Sequence, residues 1–147
     1  MNVSEAMTMG VETISPADTA QYAAARMKEN DIGFLPVTEE GRAVGVVTDR
    51  DIALRCCAEG RDPHSTTVRE IMTRNVIACR ETEELSAASR LMEQKKIRRL
   101  VVTDEAGIVN GLLSVDDLAL RIDDPSVFSR VLRQVAPGPP KSPAGRA

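Results

Sequence analysis

Apolar and polar positions along the chain fall into short runs and longer periodic stretches. Residues 11–14, 32–37 and 43–47 read as strands, rich in Val, Ile and Leu and bounded by turn residues. Ala20, Ala23, Ala24 and Met27 fall at i, i+3, i+4 and i+7, which is one apolar face of a helix. Ser15, Pro16 and Asp18 precede that face and predict its start: Ser15 as cap, Pro16 at the first helical position, Asp18 beside the positive end. Asn30 and Asp31 end it. Pro36 sits inside the strand 32–37, so part of that strand should lie at an edge or a bulge. Glu39, Glu40 and Gly41 supply the turn into the strand 43–47. Thr48, Asp49, Arg50 and Asp51 then open a helix that should run to about Glu59 and stop at Gly60.

The whole pattern is then repeated. Met7-Thr8-x-x-Val11 returns as Met72-Thr73-x-x-Val76, an offset of 65 residues, and Ala23, Met27, Ile32 and Leu35 meet Ala88, Met92, Ile97 and Leu100. One extra residue near Ala106 moves the offset to 66, pairing Gly45 with Gly111, Thr48 with Ser114, Asp51 with Asp117 and Arg55 with Arg121. The second copy therefore predicts a strand at 76–79, a helix at 83–95, paired strands at 97–103 and 108–113, and a closing helix beginning at 114–121. Arg80 stands where Ser15 stood, so the second helix should lack a cap there. The order β-α-β-β-α, twice over, predicts mixed sheets covered by helices. The repeats are expected at 7–65 and 72–130, joined by a linker over 60–71. From Ala136 onward Pro, Gly, Ser and Ala dominate, and residues 136–147 are expected to be a disordered tail. Two copies suggest a pseudo-twofold unit whose clefts lie between the halves, so function should be sought there.

Composition narrows the function classes. Aromatics are 2% of the 147 residues, so aliphatic side chains and methionine must fill the interior, and platforms for stacking bases are missing. A net charge of −3 argues against nucleic-acid binding, which needs a basic face. No run approaches the roughly 20 apolar residues of a membrane span, and no basic-then-apolar leader is visible. The expected location is the cytoplasm, without a membrane partner. Three cysteines (Cys56, Cys57, Cys79) and one histidine (His64) form no ligand spacing known for zinc, so no metal is expected. No nucleophile and base stand at a readable spacing, so the chain is not expected to be an enzyme.

The repeated unit Gly-h-h-[Thr/Ser]-x-x-Asp, with h apolar, carries the chemistry. It runs from Gly45 to Asp51 and from Gly111 to Asp117. Thr48 and Ser114 are good helix caps, and an acid three residues later is a capping-box variant, so capping alone explains either copy. The functional reading adds that such turns can offer N–H groups and a hydroxyl to phosphate or sugar. The carboxylate suits a ribose diol, as in dinucleotide sites.

The double pattern Met-Thr…Val-x-Thr-Ile-x-Pro…Ile-Gly-x-Leu-Pro-Val…Gly-Val-Val-Thr-Asp-Arg-Asp resembles a tandem pair of CBS domains, named after cystathionine β-synthase and called a Bateman module. With no catalytic domain beside it, the chain resembles the stand-alone bacterial members. The resemblance implies an α/β (α+β) fold of two pseudo-twofold β-α-β-β-α repeats packed through their sheets. It implies a non-catalytic regulatory module that binds AMP, ADP, ATP, NAD or S-adenosylmethionine between the repeats, needs no cofactor, and pairs as a homodimer. An interaction module with an unknown protein partner and no nucleotide is the rival reading. Asp51 and Asp117 would hold ribose hydroxyls, with Thr48 and Ser114 near ribose or phosphate. Thr13 and Ile14, or Ala78 and Cys79, would line the adenine slot, and Pro36 would form part of a cleft wall. Arg50, Arg98 and Arg99 are the phosphate candidates, while Asp116 replaces Arg50 in the second copy. The two clefts should therefore differ.

Overall fold

The computed structural model describes residues 1–136. Two hairpins form its centre. β2 (Phe34–Glu39) pairs antiparallel with β3 (Arg42–Thr48), and β5 (Arg99–Thr103) pairs antiparallel with β6 (Val109–Ser114). Both carry a register shift before the turn, at Val37/Thr38 and at Val102/Thr103, so even the bulge is repeated. β1 (Thr8–Met9) adds to the outside of β6, and β4 (Ala78–Arg80) adds parallel to β5, giving the order β1-β6-β5-β4. The first half copies this with single bridges, Thr73 to Val46 on one side and Ile14 to Val37 on the other. Pro36 lies inside β2, where its carbonyl accepts from the Ile14 N–H at 3.0 Å. The missing proline donor costs nothing there, because only its acceptor is used.

Helices cover each sheet. α1 (Val3–Ala6), α5 (Leu85–Lys95), α6 (Val115–Arg121) and α7 (Pro125–Val135) belong to one core, with Leu85, Ala88, Met92, Leu100, Leu113 and Leu118 buried. α2 (Ala20–Asn30), α3 (Asp49–Ile52) and α4 (Val68–Ile71) cover the other, around Ala23, Met27, Leu35, Val37 and Val47. The leading segments are exchanged. Val3 and Ala6, which precede the first repeat, sit in the second core, while Val68 and Ile71 sit in the first. Backbone bonds fix both: Val3 N–H to Glu83 O at 2.9 Å, and Val68 N–H to Asp18 O at 2.8 Å. The linker expected at 60–71 thus ends in a core helix.

Several local expectations are corrected. No strand runs over 11–14: the chain pairs with β6 at Thr8–Met9, turns at Gly10 (φ 66°) and crosses to the other sheet, where Ile14 makes a single bridge to Val37 of β2. α2 is capped by Thr19, which accepts from Tyr22 N–H at 3.1 Å. Ser15 and Asp18 instead bond to each other's turn, with Ser15 N–H donating to Asp18 Oδ2 at 3.0 Å. The counterpart of Thr19 is Glu84, which makes no capping bond, so the second helix is uncapped one turn later than expected. α3 continues as a π-helical turn, Ala53–Cys57, and Gly60 closes it at φ 70°. α7 was unforeseen, although Asp124 as cap and Pro125 at its start follow the usual pattern. The tail expected at 136–147 lies, from Pro137 on, outside the described residues.

Candidate functional site

The two halves enclose a cleft of about 320 Å³. Thr8, Met9, Gly10, Val11 and Glu12 form one lip, and Asn30, Ile32 and Phe34 the floor of the first half. Arg99, Leu112, Ser114 and Asp117 close it from the second half. The walls are apolar at Met9, Val11, Ile32, Phe34 and Leu112, with a few polar groups converging on one side, as small-molecule sites require.

The polar side is built by local chemistry. β6 ends at Ser114 and the chain turns into α6, so the first amides of the helix need acceptors. Ser114 Oγ accepts from Asp117 N–H at 3.1 Å, and Asp117 Oδ2 accepts from Ser114 N–H at 2.8 Å and Ser114 Oγ–H at 3.0 Å. The capping reading is therefore correct, yet it occupies only one carboxylate oxygen. Among the described residues no donor reaches Asp117 Oδ1, which leaves it open to a hydroxyl. Arg99 lies 5.6 Å from the centre of the Phe34 ring, a cation–π distance. Arg99 and Phe34 are equivalent positions of the two copies, so the contact joins the repeats through their own counterparts. Glu12 is ion-paired with Arg26, which draws its charge away from the cleft and raises the Arg26 pKa through the Glu12 hydrogen bond.

The other candidates are distributed as follows. Arg98, Arg99, Ser114, Val115 and Asp116 line a side notch of about 40 Å³ that shares Arg99 and Ser114 with the cleft. Thr48 and Asp51 repeat the capping box, Asp51 N–H to Thr48 Oγ1 at 3.1 Å and Thr48 N–H to Asp51 Oδ2 at 2.9 Å. Arg50 is exposed, its N–H donating to Asp49 Oδ1 at 2.8 Å. Thr13, Ile14, Pro36, Ala78 and Cys79 are not among the lining residues of the 320 Å³ cleft. Ile14 and Cys79 turn their side chains into the two cores, Pro36 is buried in β2, and Thr13 and Ala78 are exposed. The lip from Thr8 to Glu12 is what sequence reasoning missed. Its only signal was the repeated Met-Thr at its start.

The cysteines are chemically distinct. Cys79 is 3% exposed, and burial, then the Glu83 charge, push its pKa up to about 12. A raised pKa means the protonated thiol is the favoured folded form. Its contribution to stability is complete below the unfolded thiol value, about 8.5, and is lost as pH rises toward 12. Cys56 is buried and Cys57 exposed. At pH 8 the native protein is expected to react with a thiol reagent rapidly at Cys57 alone. Mass mapping of the labelled peptides checks this, and fast labelling of Cys79 would refute the burial argument.

Among the described residues, no three His, Cys, Asp or Glu side chains are grouped to hold a metal ion, and no helix is long and apolar enough to cross a membrane. Comparison with known proteins places the geometry. The CBS domain family model matches residues 3–56 and 68–124. The CBS domain-containing protein YhcV of Bacillus subtilis is 43% identical over 119 residues, 81% of this chain and 84% of that protein. Hypoxic response protein 1 of Mycobacterium tuberculosis is 29% identical over 126 residues, 85% of this chain and 87% of that protein. A crystal structure of Hypoxic Response Protein I, with two coordinated zinc ions, aligns with a TM-score of 0.74 at 28% identity, covering 83% of this chain and 99% of that one. The CBS domain pair of MJ0100, in complex with 5′-methylthioadenosine and S-adenosyl-L-methionine, aligns at 0.72 with 28% identity over 82% of this chain and 94% of that one. The repeat, the exchanged segments and the paired capping boxes are thus those of a tandem domain, and the chain belongs to the CBS domain family with two copies.

Proposed function

We propose that the chain is a non-catalytic regulatory module that binds an adenosine-containing small molecule in the cleft between its repeats. The observation that carries this is Asp117, a lining residue of the cleft, whose Oδ1 accepts from no donor among the described residues while Met9, Val11, Ile32, Phe34 and Leu112 give the cleft apolar walls. A ribose diol would donate to that oxygen, and a base would pack between Val11, Ile32, Phe34 and Leu112. Arg99 offers a fork to an anionic or carboxylate group on the same ligand. The adenosine compounds held by the CBS pair of MJ0100 support the reading. Binding joins the two halves, so it favours whichever arrangement of the repeats closes the cleft, in proportion to its differential affinity for the two states. Leu54 and Leu120, at equivalent positions and 47% and 80% exposed, favour self-association of chains as the way this state is passed on.

A thermal-shift panel with AMP, ATP, NAD, 5′-methylthioadenosine and S-adenosylmethionine tests the reading. A ligand at a hundred times its Kd stabilises by about 2.7 kcal/mol, roughly 5–10 °C for a chain of this size. The shift is expected with one class of adenosine ligand and is expected to vanish in Asp117→Ala, which remains folded. No shift with any of the five would refute the proposal and favour the interaction module.

A further inference from the structure

The two copies of the ribose-type carboxylate differ, and the cause lies one helical turn beyond them. The π-turn Ala53–Cys57 extends α3 and keeps Arg55 over Asp51, four residues back. Arg55 Nη1 stands 3.8 Å from Asp51 Oδ1. The same nitrogen donates to Ile71 O at 3.1 Å and Met72 O at 3.2 Å, and lies 3.5 Å from Thr73 Oγ1. The guanidinium therefore bridges Asp51 and Thr73. Their counterparts, Asp117 and Thr8, are both lining residues of the 320 Å³ cleft. Asp51 is left with 12% of its side chain exposed.

The second copy lacks this bridge. Arg121 is the counterpart of Arg55, but α6 stops at it and Ile122 is extended (φ −98°, ψ 120°). Pro125 follows closely, disfavouring helix in the residue before it, and Asp124 caps α7 instead by accepting from Ser126 N–H at 2.9 Å. Arg121 is thereby turned to a groove with Met1, Glu84 and Asp123. Among the described residues it pairs with no carboxylate.

We infer that each chain takes one adenosine-type ligand, at Asp117, and that Arg55 holds the equivalent cleft at Asp51 shut. The inference rests on the nucleoside reading above and assigns its stoichiometry. A neutral diol competes poorly for Asp51, because a guanidinium anchored on two backbone carbonyls already stands 3.8 Å from the oxygen the diol would need. Arg55 is a gate residue acting through Asp51, and it touches no ligand in the occupied cleft.

Isothermal titration of the full chain with AMP and with 5′-methylthioadenosine decides the matter. The wild type is expected to bind one ligand per chain, Asp117→Asn none, and Arg55→Gln two. Circular dichroism and thermal unfolding establish that each variant is folded. Two sites in the wild type, or a single site in folded Arg55→Gln, would overturn the inference and leave the nucleoside reading standing, whereas retained binding in Asp117→Asn would overturn the inference and the placing of the nucleoside at Asp117 together. Should Arg55→Gln not fold, the wild-type count and Asp117→Asn still decide. If the wild type binds neither probe, the nucleoside reading itself fails and takes the stoichiometry with it.

Discussion

Gly111→Val is expected to lift β1 off β6 and to abolish ligand binding in the cleft. A Cβ at Gly111 would stand 2.8 Å from Met7 Sδ and 2.8 Å from Thr8 O, and the second of these is backbone. The methionine can swing away; the carbonyl can retreat only if the Met9–Gly111 pairing opens. Overpacking of this kind costs about 1–3 kcal/mol, within reach of a strand of two residues held at one edge. Losing β1 removes the Thr8–Glu12 lip, so the thermal shift from any adenosine ligand should disappear while the fold remains. Hydrogen exchange should rise over 8–12 and stay unchanged over 73–77. Gly45→Val is the matched control, since its Cβ meets Met72 Sδ at 2.7 Å and Thr73 O at 2.9 Å. It should disturb the other edge and spare the Asp117 cleft. A folded Gly111→Val protein with the full ligand shift would show that the lip does not build the site.

Leu100→Ala should be the most destabilising of the simple truncations. Leu100 has no exposed surface and lies in β5, the strand flanked by both β4 and β6. Removing a buried leucine costs about 2–5 kcal/mol, because the packed neighbours close the cavity only in part. For a chain of this length that lowers Tm by roughly 5–15 °C. Leu120→Ala removes the same atoms from a side chain 80% exposed and should move stability by no more than about 0.5 kcal/mol. Thermal unfolding of the two variants side by side tests whether the second half is organised around β5. A loss below about 1 kcal/mol at Leu100 would contradict a well-packed core there.

What could be read from the chain was what is local. The faces of α2 and α5 follow from a period of 3.6, and Ala20, Ala23 and Met27, like Leu85, Ala88 and Met92, are all buried. Both capping boxes span three residues, so Thr48–Asp51 and Ser114–Asp117 were visible as pairs. The false cap at Ser15 had the same origin: Ser15, Pro16 and Asp18 form a good local signal, but they satisfy one another in a turn before Thr19 starts the helix. The lip of the cleft was hidden because it depends on Thr8 meeting Leu112, a pairing that no short window contains. The Arg55 bridge was hidden for a related reason. Arg55 and Arg121 align as identical residues, and only the chain beyond them, Cys56-Cys57 against Ile122-Asp123, sends one back and the other away.

The exchange of leading segments also sets an order of assembly during synthesis. The first core closes as soon as α4 and Thr73 have been made, since these are its latest parts. The second core is different: it needs Val3 and Ala6, and β6 needs Thr8 and Met9, all translated roughly a hundred residues before Gly111 and Leu112. Those early residues must wait, unpaired, through the making of both hairpins, and loops of that span close slowly. The opening segment therefore behaves as a clasp fastened last, and a protease that clipped it would injure the far half of the molecule while sparing the near one.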